Sequence, residues 1–483
     1  MRNYFNVQLG PGQTAIEDVI IPVKSRDELP PVLSGLQWIF INTQVRDEIL
    51  KLIEEKVCGT KKQTGRPGMD LWQILVLGVV RLALDCDYDR LEYLVHYDVL
   101  LRQIMCLPPM FNGEFSKGFH QKTISENVCY IDEEVLNKIN EIIVKAGHPL
   151  FKRKEEKIEA KVDTYVLETN VHFPTDLNLL WDACRSCIRI ISQLYKDYNL
   201  SGWRKFKQWR KQIKKLMRKC AKISKAGGAN KEERLKDAAK EYLKKATILK
   251  EKMTESLKEL KEGVLEVLAK VKVEKLDYFT KMVYKHIDLI DRRIIKGEKI
   301  PHEEKVFSLF EPHTEWLNKG KVHPPVELGH KLLITTDQYG LILDYKVMEQ
   351  SVDLKESLPL VKRLEKRYGK GAIKSISFDK GFSNEEDRKE LEEYIEEIIM
   401  SKRGRLNKAE HERENQKRFI ELRNKHNAIE SDINCLEHHG LNRCPDKGLK
   451  GFKRYAGLGV LAYNLHKIGS RLLEKERKLK KAA

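Results

Sequence analysis

A strand pattern stands alone between Ile158 and Leu167, where Val162, Thr164 and Val166 alternate with Asp163 and Tyr165 at the period of two that marks a half-buried strand. The pattern returns only after a long helical block. There Leu328 to Thr336 and Leu341 to Met348 read as two strands joined by a hairpin turn at Asp337-Gln338-Tyr339-Gly340. Downstream, Asp353 is placed to cap a helix reaching Arg367, and Ile373 to Phe378 alternates as a strand. A helix, a short strand over Ile395 to Met400 and a final helix follow. The order is strand, helical insertion, hairpin, helix, strand, helix, strand, helix, which demands an α/β sheet whose first strand is separated from the rest.

Three carboxylates sit on this framework in settings suited to metal-dependent chemistry on phosphodiesters. Asp163 lies at the centre of the first strand. Asp379 ends the Ile373 to Phe378 strand and runs into Lys380-Gly381-Phe382, so a glycine turn releases it into the crevice beyond the strand. Glu430 lies in Arg418 to Leu436, where Phe419, Leu422, His426, Ile429, Ile433 and Leu436 recur at helical spacing. Two divalent ions roughly 3.5–4 Å apart can clamp both the attacking and the leaving oxygen of an in-line displacement. Mg²⁺ keeps much of its water, so a few carboxylates from different elements suffice. Glu421 and Glu437 rival Glu430 on the same stretch, while Asp176 and Asp337 read more simply as a helix cap and a turn residue.

At these residues the chain resembles the DDE transposases of bacterial insertion sequences. The likeness is carried first by Val162-Asp163-Thr164 with Thr169-Asn170-Val171-His172-Phe173-Pro174-Thr175-Asp176, and by Phe378-Asp379-Lys380-Gly381-Phe382. It continues from Ala428-Ile429-Glu430 through His439-Gly440-Leu441 and Lys450-Gly451 to Leu461-Ala462-Tyr463-Asn464-Leu465. It holds in register over residues 127–469, and Gly65-Arg66-Pro67 leading into Asp70-Leu71-Trp72 resembles the N-terminal domain of the same enzymes. Its strength is the ordered set, since no single motif is specific. Many relatives carry an Arg a helical turn before the glutamate and a Lys two turns after it. Here His426 and Glu437 stand there, which leaves Lys425 or Arg423 to hold DNA phosphates.

The resemblance implies a ribonuclease H-like mixed sheet core with a long helical insertion after its first strand, preceded by a helical N-terminal domain. The implied boundaries are 1–150 for the N-terminal, DNA-end-binding domain, 151–176 for the first part of the core, 177–300 for the basic insertion, 301–470 for the remaining core and 471–483 for a basic tail. It also implies transposition with two Mg²⁺ ions, for which Mn²⁺ substitutes, held by Asp163, Asp379 and Glu430. Water cuts the DNA at the element ends and the freed 3′ hydroxyl attacks target DNA. Lys380 is expected beside the scissile phosphate, with Lys425, Arg443 and Lys450 along the duplex. The implied partners are terminal inverted repeats, target DNA and a second copy of the chain, in a prokaryotic cytoplasm at the nucleoid. A non-catalytic DNA-binding protein derived from such an enzyme is the alternative, and a structure-specific nuclease on the same core a more distant one. The intact acids favour the enzyme.

Charge points the same way. Lys and Arg number 90 against 72 Asp and Glu, a formal net charge of +18, and such a surplus favours an anionic polymer as partner, because Lys and Arg that neutralise phosphates release condensed counterions. The surplus is clustered. From Ser201 to Lys231 there is no acid, while Arg204, Lys205, Lys207, Arg210, Lys211, Lys214, Lys215, Arg218, Lys219, Lys222 and Lys225 surround an apolar face of Trp203, Phe206, Trp209, Ile213 and Leu216. A run of one sign this long reads as a phosphate-binding surface. Glu232 to Lys272 then mixes signs and repeats leucines, as a helical hairpin or short coiled coil does, with Gly227-Gly228 as its turn. Its apolar seam either closes on its own chain or pairs with a second one.

In the N-terminal part, Gln44 to Val57, Leu71 to Leu84 and Asp89 to Met105 read as helices, with Lys61, Lys62, Arg66, Arg90 and Arg102 open to phosphate. The first residues show no basic region followed by an apolar core. The longest apolar run, Leu71 to Leu84, is interrupted by Gln73 and Arg81 and is too short for a bilayer, so no membrane partner is expected. Nine scattered cysteines fit reduced thiols in a cytosolic protein, including Cys184-x-x-Cys187 and the cluster of Cys435, His438, His439 and Cys444.

Overall fold

The computed structural model describes residues 2–482 except 7, 60–67, 110–117, 152–155, 264–265 and 319–324. It divides into two compact units, Met1–Asn170 with Leu317–Ala483, and Val171–Trp316. The chain is mixed α/β with an open sheet whose described strands are β1 (Ile158–Thr169), β2 (Glu315–Asn318), β3 (Val326–Thr336), β4 (Ile342–Val347), β5 (Ile373–Phe378), β6 (Glu397–Met400) and β7 (Arg443–Cys444). Their order is β2-β3-β1-β5-β6, with β4 also on β3 and β7 on β1. β3 runs antiparallel to β1 and β4, whereas β5 is parallel to β1 and β6 to β5. The strand that stands alone in the sequence is therefore central. One of its faces packs Ala160 and Val162 with Ile376 and Phe378, and the other packs Tyr165 and Leu167 with Leu332 and Ile334.

Ahead of the sheet come α1 (Leu29–Ile41), α2 (Thr43–Cys58), α3 (Leu71–Ala83), α4 (Tyr88–Tyr97), α5 (Val99–Ile104), α6 (Gln121–Val128) and α7 (Glu133–Phe151). α3 is buried along its whole length, as its composition requires. The single helix expected from Asp89 to Met105 is instead two. Asp98 adopts an extended backbone (φ −85°, ψ 116°) and its side chain caps α5 by accepting from Leu101 N.

The second unit, taken by itself, holds α8 (Asp176–Leu194), α9 (Phe206–Lys225), α10 (Lys231–Glu262) and α11 (Val267–Ile290). These pack as a bundle around Cys184, Ile213, Tyr242, Leu249, Leu257 and Leu276. α9 and α10 form the expected hairpin about Gly227-Gly228. The leucine seam closes within the chain: Leu249, Leu257 and Leu260 are buried, and Leu235 and Leu243 pack against the same cluster.

After β4 the first unit adds α12 (Ser357–Tyr368), α13 (Glu385–Leu391), α14 (Lys408–Glu414), α15 (Lys417–His426), α16 (Ala428–Leu436) and α17 (Gly448–Ala482). The helix expected from Arg418 to Leu436 breaks at Asn427. Three-residue bonds from Asn427 N to Asn424 O and from Glu430 N to Asn427 O tighten the backbone there. Asp353 does not cap α12, whose N-cap is Glu356 with no side-chain cap bond. Residues 471–482, expected as a tail, continue α17.

The second unit, Val171–Trp316, encloses the expected 177–300 insertion and extends beyond it mainly on the C-terminal side, and residues 1–150 belong to the unit that carries the sheet. The reason is a shared core. Leu33, Leu36, Leu75 and Val79 lie in one apolar cluster with Leu332, Leu458, Leu461 and Leu465. Backbones touch where α1 meets α17, since a Cβ on Gly469 would fall on Pro31 O and one on Gly35 on Leu465 O. Among the described residues no helix is long and apolar enough to cross a membrane.

Candidate active site

β1 and β5 run parallel with Val162 opposite Phe378, and Asp379 N donates to Val162 O at 3.3 Å. The next pair in this register is Asp163 and Asp379. Both carboxylates therefore leave neighbouring strands, about 4.8 Å apart, toward the same face. β5 pairing stops at Val162 and β7 pairing begins at Glu168, so the edge of β1 between them borders a gap beside Asp163. Lys161 and Ser377 are register partners on the same face. α15 lies against it, with His426 Nδ1 3.0 Å from Ser377 Oγ. Glu430 follows one helical turn later on α16 and is exposed, as is Asp379, while Asp163 is half-buried.

The charges follow from this proximity. The Asp163 carboxyl is pushed up to about 6, foremost by burial and further by the negative charges of Asp379, Asp353 and Glu430, although Thr164 N donates to its Oδ1 at 2.7 Å. The nearby cation Lys331 is engaged with Asp353 at 2.7 Å. Burial holds His426 below its ordinary value despite Asp379 and Glu430. Lys161, lowered by burial, donates to Asp337 O at 2.6 Å.

Among the described residues no three His, Cys, Asp or Glu side chains converge closely enough to hold one ion between them. The register brings Asp163 to Asp379 and leaves Glu430 on the helix facing them. The donor set is nonetheless all oxygen, and among the described residues none of Asp163, Asp379 and Glu430 forms an ion pair. That chemistry fits a hard divalent ion which keeps part of its water.

Two charged groups here carry little mark in the sequence. Asp353 accepts from Thr164 Oγ1 at 3.2 Å as well as from Lys331; nothing in its local pattern sets it apart from a helix cap. Arg403 lies in the loop after β6. Its signal is weak but present: Met400 ends a strand and Arg403-Gly404 follows, as Asp379-Lys380-Gly381 follows β5. Gly381 sits among these groups. A Cβ there would lie 3.1 Å from Asp353 Oδ2, 3.3 Å from Arg403 Nη2 and 3.5 Å from Asp379 Oδ2.

The basic residues expected along DNA divide into free and engaged. Lys380 and Lys450 are exposed and form no ion pair among the described residues. Lys425 pairs with Glu421 at 3.0 Å and Glu159 at 3.4 Å, and Arg443 with Glu168 at 2.8 Å. Arg102, expected to be open, is buried and donates to Val95 O and Pro108 O. Lys61, Lys62 and Arg66, with the Gly65-Arg66-Pro67 step, lie outside the described residues. Of the other acids, Glu421 is paired with Arg418 and Lys425, and Glu437 lines a separate cavity with Asp85, Glu168 and Glu327. Asp337 is a buried turn residue accepting from Tyr339 N and Leu341 N.

In the second unit, Asp176 pairs with Arg293 at 3.0 Å. α9 buries Ile213 and Cys220 and turns its charge outward: Arg204, Lys211, Lys215 and Lys219 are exposed and Lys214 partly so. Of its basic run only Lys219 is ion-paired among the described residues, with Glu241 at 2.7 Å. Cys184 and Cys187 are core residues of the bundle, and burial pushes both thiols up, Cys187 to about 12.

Comparison of the chain with family models, with curated proteins and with solved structures returns no match.

Proposed function

We propose that this chain is a DDE-type transposase with a ribonuclease H-like core, cutting DNA at the ends of an insertion sequence and joining the freed 3′ ends to target DNA. The observation that carries the reading is the β1–β5 register, which sets Asp163 beside Asp379 at the gap where β5 ends. The strand order supports it as well. β3 runs antiparallel to both β4 and β1, β5 and β6 continue parallel to β1, and the helical bundle enters the chain directly after β1.

Bound Mg²⁺ or Mn²⁺ supplies a Lewis acid and an activated water at such a site. The chain's part is to hold oxygen donors and exclude competing geometries. Asp163 is fixed by its strand and by Thr164 N–H, and Asp379 Oδ2 accepts from Gly381 N at 3.2 Å. Glu430 completes the acid set from α16. Lys380 and Lys450 contact phosphates, α9 holds the backbone of the duplex without reading sequence, and two chains hold two element ends, since one site acts on one strand end at a time. The setting is the cytoplasm of a prokaryote, at the nucleoid.

The test is incubation with a plasmid carrying the DNA that borders the coding sequence, in Mg²⁺ or Mn²⁺. Cuts at the borders with 3′ hydroxyl ends, joined products, and loss of both in EDTA are expected. Binding without any cut in either metal contradicts the proposal and leaves a DNA-binding protein.

A further inference from the structure

We infer that Arg403 grips the substrate phosphate beside Asp379, a role that rests on reading the acid cluster as a DNA-cutting site. β6 pairs with β5 so that Met400 lies opposite Phe378, and the loops after the two strands run side by side. Arg403 thereby comes over Gly381, with Nη2 3.3 Å from where a Cβ would stand and Asp379 Oδ2 3.5 Å from the same point. The root of its loop is fixed: Lys402 N donates to Glu414 Oε1 at 3.0 Å and Lys402 Nζ to Glu410 Oε1 at 2.6 Å. The guanidinium is thus presented from a held backbone.

Its lack of a partner is the second observation. Arginines beside carboxylates in this chain pair with them. Arg388 takes Glu385 and Glu392, and Arg418 takes Glu397, Glu159 and Glu421. Arg403 is exposed and close to two acids, yet among the described residues it pairs with neither. Asp353 is already held by Lys331 and Thr164. The donor fork is left for a ligand, and its planar geometry matches two non-bridging oxygens of a phosphodiester. A phosphate entering a region rich in carboxylates needs such a counter-charge; of the cations expected from sequence, Lys425 is consumed by Glu421 and Glu159, and Lys380 offers a single ammonium rather than a planar fork.

The experiment compares wild type, Arg403→Gln and Arg403→Lys on a short duplex ending in the DNA that borders the coding sequence. In Ca²⁺, a salt series reads binding, and Arg403→Gln should flatten the salt slope by about one phosphate while Arg403→Lys keeps it. In Mn²⁺, Arg403→Gln should lower kcat/KM about 10- to 100-fold, and Arg403→Lys should recover only part, because an ammonium does not span two oxygens. A neutral methylphosphonate at the scissile position should cost the wild type as much as the Arg403→Gln change does, without the two losses multiplying. Unchanged slope and unchanged kcat/KM in Arg403→Gln, or multiplied losses, overturn the inference. A wild type that binds without cutting, with the slope still flattened in Arg403→Gln, keeps the phosphate contact and defeats the transposase reading instead.

Discussion

Asp163 holds the site's chemistry at the scale of one residue. Its carboxyl rises from 3.8 to about 6 because burial and then the charges of Asp379, Asp353 and Glu430 oppose ionisation. A raised carboxyl pKa means the folded chain binds the proton more tightly. That stabilisation is complete below the unfolded value and is lost as pH rises through about 6. Above it, ionised Asp163 costs on the order of 2–3 kcal/mol. Asp163→Asn should therefore raise the melting temperature near pH 8 in EDTA and leave it unchanged near pH 4. Mn²⁺ should raise the melting temperature of wild type more than that of the variant. A variant less stable than wild type near pH 8 would show that the charge is compensated. The sequence marks Asp163 and Asp379 through strand period and a glycine turn. It is silent on Asp353 and nearly so on Arg403, because their approach to Gly381 depends on how three loops stack beyond the sheet.

At the scale of elements, period is legible where one face is buried and fails where a helix breaks. Arg418 to Leu436 keeps apolar spacing through Asn427 because a one-residue tightening barely rotates the face, so α15 and α16 look continuous. The Asp98 break was visible in principle, since Asp is a favoured N-cap. α9 is the element whose surface was most legible, its acid-free run lying outside an apolar stripe built on Ile213 and Cys220. Replacing Lys211, Lys214, Lys215 and Lys219 with Gln should weaken binding to all duplexes alike and flatten the salt dependence of affinity, measured by fluorescence anisotropy. Folding should be untouched, since the only ion pair lost is the exposed Lys219–Glu241 contact. An unchanged salt slope would show that DNA does not run over α9.

At the scale of the whole chain, the mixed α/β class could be read from element order, but core sharing could not. Residues 1–150 look like a separate helical domain because their apolar faces are complete in sequence. Their partners are on α17, hundreds of residues later, where Gly35 and Gly469 permit backbone contact. The acid set is likewise drawn from distant parts of the chain, from β1 to α16, and its function is the claim on which everything else depends. Asp163→Asn, Asp379→Asn and Glu430→Gln each remove an oxygen donor while conserving size. Cleavage of border DNA in Mn²⁺, with a gel shift on the same duplex, measures their effect. Each variant is expected to lose cleavage by about a thousandfold or more, equivalent to about 4 kcal/mol of transition-state stabilisation, while its DNA affinity stays within about twofold of wild type. Near wild-type cutting by Asp163→Asn or Asp379→Asn would contradict metal-dependent strand transfer at this site.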